Sequence, residues 1–467
     1  MALHFSRDTK VFCKQGSNVW EIPVLDGFSF SQATNASEIT LNEMESTAGV
    51  SRRARQMFND SYAPAEWSFS TYARPNYGTV AEEALWANFI AANSYSGTWS
   101  AGVTVSTGST TYDFDDSNKA ALGTFDLFFI MGGASDADDN YGSGPETTIY
   151  KIEGCVANEA AIDFEIDGIA TINWSGFGKI ITEEATFDGS GAIDRAVTST
   201  SNFIRNRLTT LSCVSSIAGG SATTYLLTLT GGNVTFTNNI TFLTPETLGI
   251  VNQPLGHITG TRSVSGNFTC YLDSADDKSA ELWRDIIGAT TTVTNSFDMA
   301  FNIGGTTAPN IVIDIPTAHL EVPTHSIEDV ISLEVNFHAL PSTIDSTNEA
   351  TIIYTGVQAG STPTLATTLS YTEVTNTTPG NLTITAATAN ANGELFSATL
   401  TSGNGAVVQT YSAEIVNNAA IITVTQAAVN ELRADTADAA DITVATVVTT
   451  PTAGQATDSD TITRNDP

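Results

Sequence analysis

Along most of this chain apolar and polar residues alternate one by one, the spacing of a strand with one buried and one wetted face. Phe28 and Phe30 alternate with Ser29 and Ser31, Trp67 and Phe69 with Ser68 and Ser70, and Val234 and Phe236 with Thr235 and Thr237. The longest run is Ile162-Asp163-Phe164-Glu165-Ile166-Asp167, whose even positions continue through Gly168, Ala170, Ile172 and Trp174. A strand there would set Asp163, Glu165 and Asp167 on one face and Ile162, Phe164 and Ile166 on the other. Leu333-Glu334-Val335-Asn336-Phe337-His338 shows the same alternation with fewer charges. Helical spacing occurs twice. Leu85, Trp86, Phe89 and Ile90 form a stripe behind Thr79-x-x-Glu82, which reads as a capping box. Leu282, Trp283, Ile286 and Ile287 form another, with Asp276 and Asp277 as candidate caps.

These elements come in two series. Arg7 to Cys13 returns as Arg207 to Cys213, Phe69-Ser-Thr-Tyr72 as Phe268-Thr-Cys-Tyr271, and Leu85-Trp86 as Leu282-Trp283. Phe125-Asp126 with Gly132-Gly133 returns as Phe297-Asp298 with Gly304-Gly305. Four landmarks in the same order mark an internal duplication. The offset falls from 197 residues at the tryptophans to 172 at the Phe-Asp pairs, so the first copy carries extra residues between Ser94 and Gly123. That stretch is rich in Ser, Thr and Gly and reads as an inserted surface loop. The expected fold is mainly β: two tandem sandwich or barrel modules, each with one flanking helix, over residues 1–200 and 201–345.

Beyond residue 345 the character changes. Trp and Cys are absent, Thr, Ala and Val dominate, and a Gly/Ser/Thr/Pro stretch from Gly356 to Thr368 reads as a hinge. Short alternating runs at Leu382, Phe396, Val407, Ile421 and Ile442 predict one small Ig-like β-sandwich over 346–467.

Charge narrows the function. The net charge is −33, spread along the chain, and no Lys/Arg stripe is present to displace counterions from a nucleic acid. Stable nucleic-acid binding is therefore not expected. The four cysteines are far apart with no Cys-x-x-Cys, which reads as reduced thiols. The stretch Met1 to Asp8 has no apolar leader run, and no apolar run is long enough to span a bilayer, so a soluble product of the cytoplasm is expected.

Catalytic motifs are missing: no Gly-x-Ser-x-Gly, P-loop, His-Glu-x-x-His or dinucleotide fingerprint occurs. No catalytic residue, cofactor or metal site is expected. His319, His325 and His338 fit no metal spacing, and Asp163 with Glu165 reads as a wetted face before an acid/base pair. Asp136-x-Asp138-x-Asn140-x-Gly142 resembles a calcium loop but has its glycine seventh and Thr147 twelfth, so an acidic solvated loop is the simpler reading. Arg52, Arg53 and Arg55 are the one dense basic cluster, set in a long polar segment from Gln32 to Pro64. Phosphate binding and docking onto acids of an adjoining subunit both fit them, and the second suits the acidic background better.

Several stretches resemble a known family. Leu25-Asp26-Gly27-Phe-Ser-Phe-Ser, Phe58-Asn59-Asp60-Ser61, Ala65-Glu66-Trp67-Ser68-Phe69-Ser70-Thr71-Tyr72 and Trp174-Ser175-Gly176 resemble the major tail tube proteins of long-tailed bacteriophages, in the duplicated type that carries an Ig-like domain. The likeness spans roughly 1–345. It implies a structural virion protein, made in the host cytoplasm, whose stacked rings form the tail tube. A doubled subunit implies trimeric, pseudo-hexameric rings. The implied partners are further copies of the chain, the tail tip and tail terminator proteins, and the tape measure protein and viral DNA passing through the lumen. On that reading Asp163, Glu165 and Asp167 line an acidic lumen that repels phosphates, and Arg52, Arg53 and Arg55 hold successive rings together. Two other classes fit parts of the sequence: a surface adhesin or surface-layer protein of repeated β domains, and a carbohydrate-active enzyme using paired carboxylates.

Overall fold

Strands from both halves of the chain join edge to edge in one antiparallel sheet. Its order is Ser29–Ile39, Gln56–Tyr72, Thr171–Gly178, Thr148–Glu165, Leu229–Thr237, Ser263–Tyr271 and Ser332–Ala339. It ends on Thr324–Ser326 together with the last residues of Asn310–Leu320. The computed structural model describes residues 4–39, 56–76, 79–80, 82–92, 95–99, 102–106, 108–114, 122–132, 140–141, 147–190, 192, 203–215, 223–248, 250–288, 296–344, 346–356, 364–371, 381–389, 395–403, 405–434, 442–450 and 454–462. The chain divides into two compact units, Met1–Val357 and Gln358–Pro467.

The strand Thr148–Glu165 organises the first half. Its first residues lie between Phe125–Met131 and Ile180–Glu184 in an outer sheet that continues through Thr9–Gln15. Irregular registers at Ile152/Cys155 and Ala157/Glu159 then bend it into the continuous sheet. The second half repeats this path: Asn310–Leu320 runs between Phe297–Ile303 and Thr351–Thr355, then meets Ser332–Ala339. All four sequence landmarks fall on matching elements of the two halves. The alternating apolar residues fill the space between the sheets in one core shared by both halves, from Cys13 and Trp67 to Phe301 and Tyr354.

Several expectations change on contact with the structure. The run from Ile162 to Trp174 is a hairpin of two strands, turning at Gly168 with φ +111°. Parity survives the turn because both strands face the same core, so the sequence shows one period-two pattern. Helix α1 spans Glu83–Phe89, with Thr79 in a short strand and no side-chain cap at Glu82. Its Leu85, Trp86 and Phe89 are buried in the core, with Glu82 and Glu83 buried beside them. Helix α2 spans Ser279–Gly288, and the carbonyl of Lys278, not of Asp276 or Asp277, accepts its first backbone bond, from Leu282 N. Instead the Asp277 amide donates to the Glu281 carboxylate at 2.6 Å, and Ser279 links the Tyr271 carbonyl to the Asp273 amide.

The inserted stretch of the first copy is no simple surface loop. It holds the hairpin Val103–Ser106/Ser109–Asp113, whose second strand pairs with Thr351–Thr355 and buries Thr110, Tyr112 and Phe114. That edge would otherwise leave its backbone groups unpaired. The strand Thr351–Thr355, which the expected third domain from 346 would include, thus lies in the first unit.

The second unit stacks a three-stranded sheet, Thr364–Tyr371, Leu382–Ala389 and Ala419–Val424, on a four-stranded one. The latter orders Val408–Glu414, Leu395–Thr401, Ile442–Thr450 and Gly454–Ile462. Ile384, Phe396, Leu400, Ile422 and Val444 fill the space between, and helix α3, Gln426–Ala434, adds Leu432. Part of the expected hinge, from Thr364, is a strand.

Candidate functional site

One face of the continuous sheet packs on the core and the other is open. On Gln56–Tyr72 the buried residues are Ala65, Trp67, Phe69 and Thr71, which leaves Glu66, Ser68, Ser70 and Tyr72 on the open side. The same alternation puts Glu159, Asp163 and Glu165 on the open face of the next-but-one strand, and Glu334, Asn336 and His338 on that of Ser332–Ala339. Lys151 is the one Lys or Arg in all these strands, and it lies in the part of its strand that belongs to the outer sheet, bridging Asp126 and Glu153.

Cross-strand hydrogen bonds tie the open face together. Ser70 donates to Asn173 Oδ1 at 2.6 Å, and Asn173 Nδ2 donates to Asp163 Oδ2 at 2.6 Å. Asn267 donates to Glu334 at 3.2 Å, and Asn336 to Glu321 at 3.0 Å. Partial burial lifts the Asp163 carboxyl above the ordinary range, with the Asn173 amide opposing and the Glu165 charge adding to the rise. Glu321 is held low by the Asn336 amide and then by His338, at 3.3 Å.

Of the residues singled out beforehand, Asp163 and Glu165 therefore share the open face. Asp167 lies beyond the strand end, exposed and 3.4 Å from the exposed Arg207 guanidinium. Arg52, Arg53 and Arg55, and Asp136 and Asp138 of the acidic loop, lie outside the described residues. Glu66, Glu159 and Glu334 join Asp163 and Glu165 on the open face, and are not among the expected channel residues, although Ala65-Glu-Trp-Ser-Phe and Leu333-Glu-Val-Asn-Phe carry the same alternation.

The two lateral edges of the sheet are the second feature. Inside the chain, Glu159–Glu165 pairs with Gly231–Thr237, so the halves meet through backbone hydrogen bonds. Matching partners (Cys155 on Phe125 and Ala318 on Phe297, Asp163 on Thr171 and Ser326 on Ser332) place corresponding positions 163 residues apart. Thr324–Ser326 is thus the counterpart of that joining strand, yet among the described residues it pairs only with Ser332–Ala339. Ile327 stands where the first half has Phe164. Phe164 is 2% exposed and Ile327 is 81% exposed. The helices differ likewise: Ile90 at the end of α1 is 1% exposed, while its counterpart Ile287 of α2 is 45% exposed. At the opposite edge, Ser29–Ile39 pairs among the described residues only with Gln56–Tyr72.

An acidic open face and two sheet edges that have one neighbour each among the described residues are thus the features that stand out. The family model of phage tail tube proteins matches residues 138–339. The tail tube protein pb6 of Escherichia phage T5 is 30% identical over 370 residues, covering 75% of this chain and 75% of that protein. The chain belongs to the phage tail tube protein family, and so is a structural component of the virion tail that assembles into the tail tube. No helix among the described residues is long and apolar enough to cross a membrane.

Proposed function

We propose that three copies of this chain close into a pseudo-hexameric ring, and that stacked rings enclose an acidic channel for the genome. The observation that carries this reading is the pair Phe164 and Ile327: one position is sealed by the second half of the same chain, and its counterpart is bare. The sealing strand of the second half, Leu229–Thr237, occupies the place that Ser29–Ile39 has in the first. A neighbouring chain that laid Ser29–Ile39 on Thr324–Ser326 would reproduce the internal junction and remove both edges. Each chain supplies two units of the ring, so a six-unit ring takes three chains.

In this ring the open face lines the channel. Asp163 and Glu165, with Glu66, Glu159 and Glu334, repel the phosphates of passing DNA, and the Ser and Asn rows keep the wall wet. The tape measure protein fills the channel before the genome does, and the tip and terminator proteins close the stack. Arg52, Arg53 and Arg55 act between successive rings. The second unit, an Ig-like sandwich, decorates the outside. Size-exclusion chromatography with light scattering tests the ring: the wild type should run as a trimer and Ile327→Asp as a folded monomer. A trimeric Ile327→Asp would refute the edge-to-edge closure.

A further inference from the structure

Three of the chain's five histidines, His319, His325 and His338, lie at the outer edge of the second half. Each stands where the first half has an apolar residue that the second half covers. The 163-residue correspondence matches His319 to Val156 and His325 to Ile162. The ladder pairs His319/His338 and Val156/Phe177 then match His338 to Phe177. Ile240 and Phe242 pack on Val156, Phe242 lies 6.4 Å from Phe177, and Val234 is the ladder partner of Ile162. Ile162 is fully buried, whereas His325 is exposed. The His325 ring meets Trp283 of α2 edge to face at 5.4 Å. Trp283 is half-buried, while its counterpart Trp86 is fully buried with Phe236 at 5.6 Å.

We infer that His325 makes ring closure pH-dependent, the seam between chains closing on a neutral imidazole and opening when the imidazole is protonated. The inference rests on the ring reading and adds a control to the same edge. Phe30 holds in the first half the place of Val234: they pair with Trp67 and Gly266, each two residues before the matching Phe69 and Phe268. A neighbour that repeats the internal junction therefore sets Phe30 opposite His325. Closure would enclose the imidazole between Trp283 and Phe30, and removal from water disfavours its charged form. The Trp283 contact exists in the single chain, so any attraction of a charged imidazole to that ring precedes closure. The closed ring thus binds fewer protons than free chains, and association weakens as pH falls through the ordinary histidine range.

The charged groups around His325 are engaged elsewhere or turned away. On α2, Glu281 accepts from the Asp277 amide, Asp285 accepts from the Tyr225 hydroxyl, and Arg284 is exposed. Glu334, the ladder partner of Thr324, belongs to the open face. The incoming residues Ser29 to Gln32 carry no charge. His338 differs, because its Nε2 lies 3.3 Å from the Glu321 carboxylate and a proton there is matched. The internal junction has Ile162 in this place, so acid should separate chains without parting the two halves of one chain.

Sedimentation velocity of the full chain over a concentration series at pH 7.5 and pH 5.5 tests this. The wild-type trimer should half-dissociate at a concentration at least ~tenfold higher at pH 5.5. His325→Ile, and His325→Gln as a neutral polar control, should each dissociate at the same concentration at both pH values. His338→Gln should keep the wild-type shift. An unshifted wild type, a shift that survives both His325 variants, or a shift lost in His338→Gln would overturn the inference. So would loss of the wild-type circular dichroism signal at pH 5.5, which would place the effect in the fold. A wild type with no trimer at pH 7.5 would overturn the ring reading itself, and this inference with it.

Discussion

The indole N–H of Trp86 donates to the hydroxyl of Tyr354 at 2.7 Å, and neither side chain has any solvent exposure. Trp86 sits on the helix of the first half, and Tyr354 lies on the strand that follows the second. Trp174 packs against the same indole at 4.8 Å and Phe236 at 5.6 Å, one from each half. The bond therefore ties the beginning, middle and end of the first unit to one side chain.

Tyr354→Phe should destabilise the first unit by about 1–3 kcal/mol, because it leaves the Trp86 N–H buried without its partner. Trp86→Phe should cost more, since it also opens a cavity beside Trp174 and Phe236. The double variant should be less destabilised than the sum of the two. Denaturant titration followed by tryptophan fluorescence reads all three, and strict additivity would show that the bond contributes nothing.

A chain ending at Val357 should fold and form tubes, while one ending at residue 345 should not. The shorter cut removes Thr351–Thr355, uncovers Asn310–Asp314 and Ser109–Asp113, and strips Trp86 of its acceptor. Circular dichroism and electron microscopy of the two truncations check this. Equal behaviour would place that strand outside the folding unit.

Arg262 should be intolerant of neutral replacement. Its guanidinium lies 2.9 Å from the Glu349 carboxylate, donates to the Phe114 and Thr347 carbonyls, and stacks 4.7 Å from the Phe114 ring. Both charged side chains are about nineteen-twentieths buried. Arg262→Met should cost about 3–5 kcal/mol by taking the guanidinium away from the buried Glu349 carboxylate, and adding Glu349→Leu should recover much of it. A single variant as stable as the wild type would refute the pairing's role.

Asp163→Asn should stabilise the protein slightly at neutral pH, raising Tm by on the order of 1 °C. A carboxyl whose folded pKa is raised binds its proton more tightly folded than unfolded, so its ionisation disfavours folding as pH rises through that window. The amide removes this cost and still accepts from Asn173. The gain should fade as the pH falls below the ordinary Asp value near 4. Thermal melts at pH 7 and pH 3.5 test the sign, and a larger gain at pH 3.5 would refute it.

Buried thiols should be slow to alkylate. All four cysteines are buried, and burial lifts Cys270 to about 12. The thiolate fraction at neutral pH is therefore minute. A thiol reagent should label none of them until denaturant is added, and labelling of native protein would show that the core opens.

Strand alternation, the two helical stripes and the duplication were legible in the residues themselves, because burying one face of a strand or helix imposes a period that sequence alone displays. Asp163 and Glu165 were placed on the open face by that period, since Ile162 and Phe164 had to point the other way. The period is blind to what lies beside a strand. It merged the Ile162 to Trp174 hairpin into one run, and it matched Leu333 to His338 with Ile162 to Asp167 although its counterpart is Thr171–Gly178. Pairing between strands far apart in sequence decided the rest: that the insert covers Thr351–Thr355, that Arg262 closes on Glu349, and that Thr324–Ser326 is left open where Glu159–Glu165 is sealed. Backbone hydrogen bonds between strands carry no side-chain signature, so only the folded chain shows which strand lies beside which.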